Sequence, residues 1–298
     1  MKRNWLRIGI GFTAVFFIII SAPSLSAQSS GKALILQEMT WTDVRDYMKT
    51  SDMVIIPLGS TEQHGPHMPL GTDYYEALGV AKMISARTGV LIAPLLLMGY
   101  SEYHSGFQGT LSLKPETFEQ VLFESTQMLM KYGFRRFMFF NYHGGNGIVQ
   151  SRVIHRINHG TQAVAVAIGI GSPFAVESKE EAPFDWHAGI GETSLMLFLK
   201  PELVKMERAE KPKMRFTPEM EELKLLGEKD PALLAVWQSL FAVPVETRKG
   251  GASHELSSNG VWSMGDPRKA TEEIGKREAE GMAARAVRFI ETWKQARK

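Results

Sequence analysis

The chain has 298 residues, of which 44% are hydrophobic, and it carries a formal net charge of +2 and no cysteine. This length and apolar fraction suit one large α/β domain with a sizeable core. The lack of cysteine excludes disulfides, a thiolate zinc site and a cysteine nucleophile. The small net charge gives no indication of nucleic-acid binding.

The first 26 residues have the pattern of a secretory signal peptide. Basic residues precede an apolar run over 8–20, and small residues follow at 24–27. The apolar run is shorter than the roughly 20 residues that span a bilayer. We therefore predict a secreted or periplasmic protein with a mature domain over 27–298 and no stable membrane span after cleavage. An uncleaved N-terminal membrane anchor is the alternative.

Strands and helices alternate along the rest of the chain, which predicts a mostly parallel sheet with right-handed crossovers. The charged, proline-interrupted stretch 207–230 is interpreted as an excursion from this domain and not as a second one. Strands are predicted at 53–57, 90–93, 137–140 and 163–170, and helices at 41–50, 74–88, 115–132, 148–158 and 271–296.

The segment after the first predicted strand carries residues that bind metals. Glu62 and His64 lie two residues apart, on the same face of an extended segment. Asp73 follows at the expected start of a helix. Two carboxylates and an imidazole suit zinc, manganese or iron better than calcium. Helix caps and solvated loop acids use the same residue types, so this loop alone leaves both readings open.

Two later segments repeat this arrangement. His143 comes directly after the predicted strand at 137–140 and precedes two glycines. His187 and Glu192 bracket a glycine-rich turn that leads into a helical run. Structural alternatives are a turn histidine at 143 and a first-turn acid at 192, favoured by the helix dipole. Open α/β sheets bind ligands at the carboxyl ends of their strands, so the three segments together predict a shared site there.

Several motifs, in the same order, resemble those of the creatininase family, and the resemblance covers about 36–289. It implies a three-layer α/β/α fold and a metal-dependent amidohydrolase, commonly with a two-metal centre. The matching segments are 59–67 (GSTEQHGPH), 141–146 (NYHGGN), 189–194 (GIGETS) and shorter matches at 103–104, 109–113 and 265–267.

The resemblance also implies a set of ligands for two divalent ions of zinc, manganese or iron, with Asp73 as the bridge between them. Creatininase itself carries a glutamate ligand two residues after the matching histidine, where this chain has Gly145. Glu192 is the natural replacement, and the difference puts creatinine in doubt as the substrate. The expected ligands are Glu62, His64, Asp73, His143 and Glu192.

His187 is the expected proton donor to the departing nitrogen, because a free imidazole titrates near neutral pH. A supporting hydrogen-bond role is the alternative. We place His104 at the mouth of the pocket as a substrate contact, with a surface role as the other reading. Tyr142 and Trp186 flank the two histidines and are expected to form an apolar wall around the substrate, unless they simply pack.

The sequence therefore predicts an amidohydrolase that cleaves a C–N bond in a cyclic or linear amide with a metal-activated water. A formamide or small-peptide hydrolase of the same family is the alternative. A metal-dependent periplasmic ligand-binding protein belongs to a different class, and such proteins need two lobes and a hinge. The expected partner is a small-molecule amide, and the resemblance implies a homo-oligomer.

Overall fold

The computed structural model describes residues 31–169, 172 and 185–296. The predicted signal peptide lies outside these ranges, as does residue 170 at the end of the fourth predicted strand. Within the described ranges, no helix is both long enough and apolar enough to cross a bilayer.

A parallel sheet forms the centre of the molecule. Its strands are β1 (Met53–Leu58), β2 (Leu91–Ile92), β3 (Arg136–Asn141) and β4 (Val164–Ala167). Their order is β2-β1-β3-β4, and every neighbouring pair is parallel. Two short strands outside this sheet, β5 (Asp185–His187) and β6 (Trp262–Ser263), pair antiparallel. The prediction of a mostly parallel sheet is confirmed.

Helices surround the sheet, and local sequence signals set their ends. Thr40 and Asp43 form a capping box before the first helix, and Gly89, with φ of 67°, ends the second. The α-helices of the described residues are α1 (Trp41–Tyr47), α2 (Thr72–Thr88), α3 (Pro115–Lys131), α4 (Gly147–Gly160), α5 (Ile190–Leu199), α6 (Pro218–Gly227), α7 (Pro231–Gln238), α8 (Ser253–Leu256) and α9 (Glu272–Gln295). Single 3₁₀ turns lie at Leu36–Glu38, Glu102–His104, Gly144–Asn146, Pro201–Leu203, Met206–Arg208, Val245–Thr247 and Pro267–Lys269.

The two faces of the sheet bury different helices, because successive side chains of a strand point to opposite faces. Ile55 and Met138 belong to a core with the apolar sides of α2 and α9. Ile56 and Phe139 point the other way, into a core with α3 and α4. The chain therefore forms the predicted three-layer α/β/α fold.

Some elements differ from the predictions. The fourth strand is shorter than predicted, at Val164–Ala167. The stretch 207–230 contains α6, which packs with α7 and α8 around Trp237 and Phe241 and against Trp262 of β6. These short helices and the strands β5 and β6 are too brief to produce a clear periodic pattern in the sequence. They are nevertheless important, because they form one side of the site described next.

Candidate metal and active site

The carboxyl ends of the parallel strands bring the predicted ligands together. The loop after β1 carries Glu62 and His64, and Asp73 lies in the first turn of α2. His143 follows β3 after one intervening residue, Tyr142. This edge is where open α/β sheets form ligand crevices. The three segments thus share one site, although they are far apart in the sequence.

Glu62, Asp73 and His143 form the first group of possible ligands. His143 Nδ1 lies 3.2 Å from Glu62 Oε2 and 3.0 Å from Asp73 Oδ2. His143 Nε2 donates to the Tyr100 carbonyl at 2.9 Å, so Nδ1 is the ring atom that faces the carboxylates. Both Glu62 oxygens and Asp73 Oδ2 are buried, and among the described residues only imidazole nitrogens approach them. Such atoms are costly to bury, and a cation between them would satisfy them.

His64, Asp73 and Glu192 form a second group. His64 Nδ1 donates to the Glu62 carbonyl at 3.1 Å. His64 Nε2 lies 3.0 Å from Asp73 Oδ1 and 3.7 Å from Glu192 Oε2. Each group places its ligand atoms within 4.8 Å of one another. Asp73 belongs to both groups and directs one oxygen to each, which is the arrangement that a bridging carboxylate needs.

The pKa shifts reflect how closely acids and imidazoles are packed. Burial raises the pKa of Glu62, but the surrounding histidines, His104 first, hold it well below its ordinary range. Burial lowers the pKa of His64, but nearby carboxylates, Asp73 first, raise it to about 9. Burial also raises the pKa of Glu192 to about 8. In the protein alone, protons therefore occupy positions that a bound divalent cation would take over.

His187 lies beside these groups in β5. Its Nε2 donates to the Gln63 carbonyl at 2.7 Å, and its Nδ1 lies 3.6 Å from Glu62 Oε1. Burial, reinforced by His64 and His104, lowers the pKa of His187 well below its ordinary value. A neutral imidazole with a free lone pair can accept a proton or bind a cation. His187 also forms a metal-capable group with Glu62 and His64, so the geometry is compatible with both roles.

The turn between His187 and Glu192 is tight. Ala188 has φ of 56°, the left-handed region that non-glycine residues rarely adopt. Its N–H donates to Glu192 Oε2 at 2.5 Å, which directs that carboxylate towards His64. The tight turn at Ala188 thus brings the Glu192 carboxylate and the neighbouring His187 to the same side of the site.

A cavity of about 400 Å³ opens onto the two groups. Tyr142 is buried in its wall, while Trp186 is 41% exposed and packs edge-on against Phe241. A second cavity of about 200 Å³ shares Tyr142, Trp186, His187 and Glu192 with the first. No lysine or arginine lines either cavity in the described part of the chain. Residues lining the larger cavity include Glu62, Asp73, Tyr100, Tyr103, His104, Tyr142, His143, Trp186, His187, Glu192 and Trp262.

His104 does not lie where the sequence placed it. It lines the cavity but is only 1% exposed, so it is not at the mouth. The 3₁₀ turn Glu102–His104 brings its ring against His187, with ring centroids 4.3 Å apart. His104 Nε2 lies 3.2 Å from Glu62 Oε1. Burial lowers the pKa of His104 to about 4, so this ring is neutral at pH 7.

Gly145 leaves no room for a side chain. A Cβ there would lie 2.2 Å from the Tyr100 carbonyl oxygen and 2.6 Å from His143 Nε2. This chain thus has no carboxylate where the resemblance implied one in creatininase, and the backbone is packed closely around Gly145. Glu192 Oε2 lies 3.7 Å from His64 Nε2, and Asp73 Oδ1 lies 3.0 Å from the same atom.

Glu76 was missed by sequence reasoning. It lies one helical turn after Asp73 on α2, is fully buried, and neither carboxyl oxygen has a hydrogen-bond partner among the described residues. Burial raises the pKa of Glu76 well above its ordinary value, and the neighbouring carboxylates Glu192, Asp73 and Glu278 raise it further. The spacing of three from a predicted ligand was the available signal, since such residues share a helix face.

Glu76→Gln should stabilise the metal-free protein at alkaline pH. Because the pKa of Glu76 is higher in the folded than in the unfolded chain, folding takes up a proton between those two values, and stability falls as pH rises through that window. The variant should lack this loss, which amounts to about 1.4 kcal/mol per unit of pKa difference. Urea unfolding from pH 4 to 9 with chelator present measures it, with the exposed Glu222→Gln as control. Parallel curves for Glu76→Gln and the wild type would contradict the expectation.

Comparisons with known proteins agree with this geometry. Residues 37–290 match the family model described as creatininase, creatinine amidohydrolase. The chain is similar to 3-dehydro-scyllo-inosose hydrolase of Thermotoga maritima, 33% identical over 182 residues that cover 58% of each chain. It is 32% identical to the mycofactocin precursor peptide peptidase of Mycobacterium tuberculosis over 254 residues, which cover 82% of this chain and 86% of that protein. A solved creatininase superposes with a TM-score of 0.69 and 23% identity over 89% of this chain and 100% of its own, which supports the fold.

Proposed function

Because the chain belongs to the creatininase family of hydrolases, we propose that it is a metal-dependent amidohydrolase that cleaves a C–N bond in a cyclic or linear amide. One observation carries the proposal. Buried carboxylate oxygens of Glu62 and Asp73 converge at a cavity, and among the described residues only imidazole nitrogens approach both Glu62 oxygens and Asp73 Oδ2. This donor set of oxygen and nitrogen atoms suits zinc, manganese or iron.

Two divalent ions would be held by the two groups, with Asp73 shared between them. When bound, ions in such a site lower the pKa of a water and polarise a carbonyl oxygen. Solved creatininases of the same fold are named as a manganese form and as a zinc–zinc type, which supports these metals as the first to test. The proposed ligands are Glu62, His64, Asp73, His143 and Glu192.

The protein's own groups would then move one proton. Hydrolysis forms a C–O bond to water, breaks the C–N bond, and transfers a proton from the water to the departing nitrogen. We assign this transfer to His187, whose neutral Nδ1 faces the site while its Nε2 is held by the Gln63 carbonyl. Tyr142 and Trp186 line the same cavity and are proposed to hold the substrate against these groups.

Two observations bear on which amide is the substrate. The resemblance implies a carboxylate in creatininase at the position of Gly145, where this chain has no room for a side chain. This difference argues against creatinine as the substrate. The similarity to a peptidase over 82% of the chain favours a small-peptide hydrolase as the second candidate. Metal-loaded protein should be screened against lactams, formamides and short peptides, with release of amine as the readout. Binding of metal and ligand without release of amine would instead indicate a binding protein.

The mature protein should lack its first 26 or so residues. Basic residues followed by an apolar run support export to the periplasm or beyond, with the run too short for a stable span. N-terminal sequencing of protein recovered from the cell envelope would test this. A sequence that begins at Met1, from protein sedimenting with membranes, would show an anchor instead.

A further inference from the structure

Gln63 lies between Glu62 and His64 in the sequence, and its side chain is buried. The Oε1 atom accepts from the Gly65 N–H at 3.0 Å, and Nε2 lies 3.1 Å from the Gly260 carbonyl oxygen. A backbone N–H can only donate and a carbonyl can only accept, so these contacts fix which end of the amide is oxygen and which is nitrogen.

Gly260 makes this arrangement possible. Its φ is +76°, and a Cβ there would lie 2.0 Å from Gln63 Oε1. A side chain at 260 would therefore displace the amide. The absence of a side chain at Gly260 thus leaves room for the Gln63 amide in this orientation.

The fixed amide determines the tautomer of His104. Gln63 Nε2 lies 3.1 Å from His104 Nδ1. The same amide nitrogen also lies 3.0 Å from Ser253 Oγ and 3.0 Å from His187 Nε2. Because an amide nitrogen only donates, a proton on His104 Nδ1 would face another donor, so Nδ1 carries the lone pair and Nε2 the ring proton. That N–H faces Glu62 Oε1 at 3.2 Å. His104 therefore presents a donor to the carboxylate and has no lone pair on that side.

The backbone carbonyl of Gln63 sets the tautomer of His187, and it does so in the opposite sense. His187 Nε2 lies 2.7 Å from the Gln63 carbonyl oxygen and 3.0 Å from the Gln63 side-chain nitrogen. The carbonyl oxygen is the closer of the two and can only accept, so Nε2 carries the proton, and Nδ1 keeps its lone pair and faces Glu62 Oε1 at 3.6 Å. The two rings lie face to face, with centroids 4.3 Å apart. One ring presents an N–H to Glu62, and the other presents a lone pair.

We propose that Gln63 is a positioning residue that sets the tautomers of His104 and His187, and so decides which of the two can accept a proton or bind a cation beside Glu62. Its catalytic consequence rests on the proposed function. The tautomers themselves are properties of the protein before any metal is added, which allows the two to be tested separately.

Side-chain ¹⁵N NMR of the histidines in metal-free wild type and Gln63→Glu tests the proposal. In the wild type, His104 should carry its proton on Nε2. In Gln63→Glu, an acceptor oxygen replaces the amide N–H, and the proton should reside on Nδ1. Gln120→Glu, the same substitution at an exposed glutamine on α3, should leave the His104 signals unchanged. A His104 that keeps its Nε2 proton in Gln63→Glu would overturn the proposal.

Gln63→Met covers the case in which the glutamate variant does not fold. It keeps the length of the side chain but removes the donor, so the His104 signals should report a mixture of tautomers. A single Nε2–H tautomer in this variant would show that another group fixes the ring.

Kinetics then separate the two claims. On the best substrate from the amide screen, metal-loaded Gln63→Glu should keep its metal and lose about 10- to 100-fold in kcat with little change in KM, the usual range for groups that orient the residues around a metal. If no amide is hydrolysed by the wild type, the proposed function fails, and the NMR result still decides the role of Gln63. A wild-type kcat in Gln63→Glu together with a changed tautomer would overturn the link to catalysis.

Discussion

Asp73→Ala should abolish hydrolysis and leave the protein with less than one bound ion per subunit. Asp73 directs one oxygen to His143 and the other to His64, so its removal takes a ligand from both groups at once. Losing several kcal/mol of charge stabilisation corresponds to about 10³-fold or more in rate. Elemental analysis of protein loaded with zinc or manganese, combined with release of amine, measures both effects.

Asp46→Ala is a suitable control, because Asp46 is an exposed aspartate on α1 that pairs only with surface cations at Arg45 and Lys49 among the described residues. It should keep full metal content and activity. His64→Ala and His143→Ala should each weaken one group and leave partial metal content. Full occupancy in a folded Asp73→Ala variant would refute the bridging role.

The fold could be predicted because its signals are local. The run at 53–57 is apolar throughout, as expected for a strand with helices on both faces, and every residue of β1 is buried. Gly89 and the capping box at Thr40 mark helix ends where the structure has them. The elements β5, β6, α7 and α8 escaped prediction because they are held by contacts with Trp262 and its neighbours, not by a pattern of their own.

Some residues of the site could likewise be predicted from local sequence signals, and others could not. Glu62, His64 and His143 follow predicted strands, so sheet topology alone brought them to one edge. Gln63 could not be found like this, because His104 and Gly260, which its amide nitrogen faces, are 41 and 197 residues away in the sequence. His104 was misplaced for a related reason: the inward fold of the loop Glu102–His104 depends on packing that no short segment encodes.

His187→Asn should lower kcat by about 10²- to 10⁴-fold, the usual range for general acid–base catalysis, while metal content stays near that of the wild type. The reason is that a proton carrier acts on the transition state and need not hold an ion. Amides with good leaving groups should be affected less, since their nitrogen needs less help from a proton. Metal analysis and kcat for a series of amides with graded leaving groups measure both effects.

The test separates two roles, because His187 belongs to a metal-capable group with Glu62 and His64. If His187→Asn loses metal in proportion to activity, its Nδ1 is a ligand and the proton comes from another residue. Glu192 would then be the next to test, since burial raises its pKa to about 8 and it lies 3.7 Å from His64. The exposed His159→Asn on α4 is the matched control and should change neither quantity. Retained metal with a leaving-group dependence steeper than that of the wild type supports proton transfer by His187, because only the loss of a proton donor makes the rate more sensitive to the departing nitrogen.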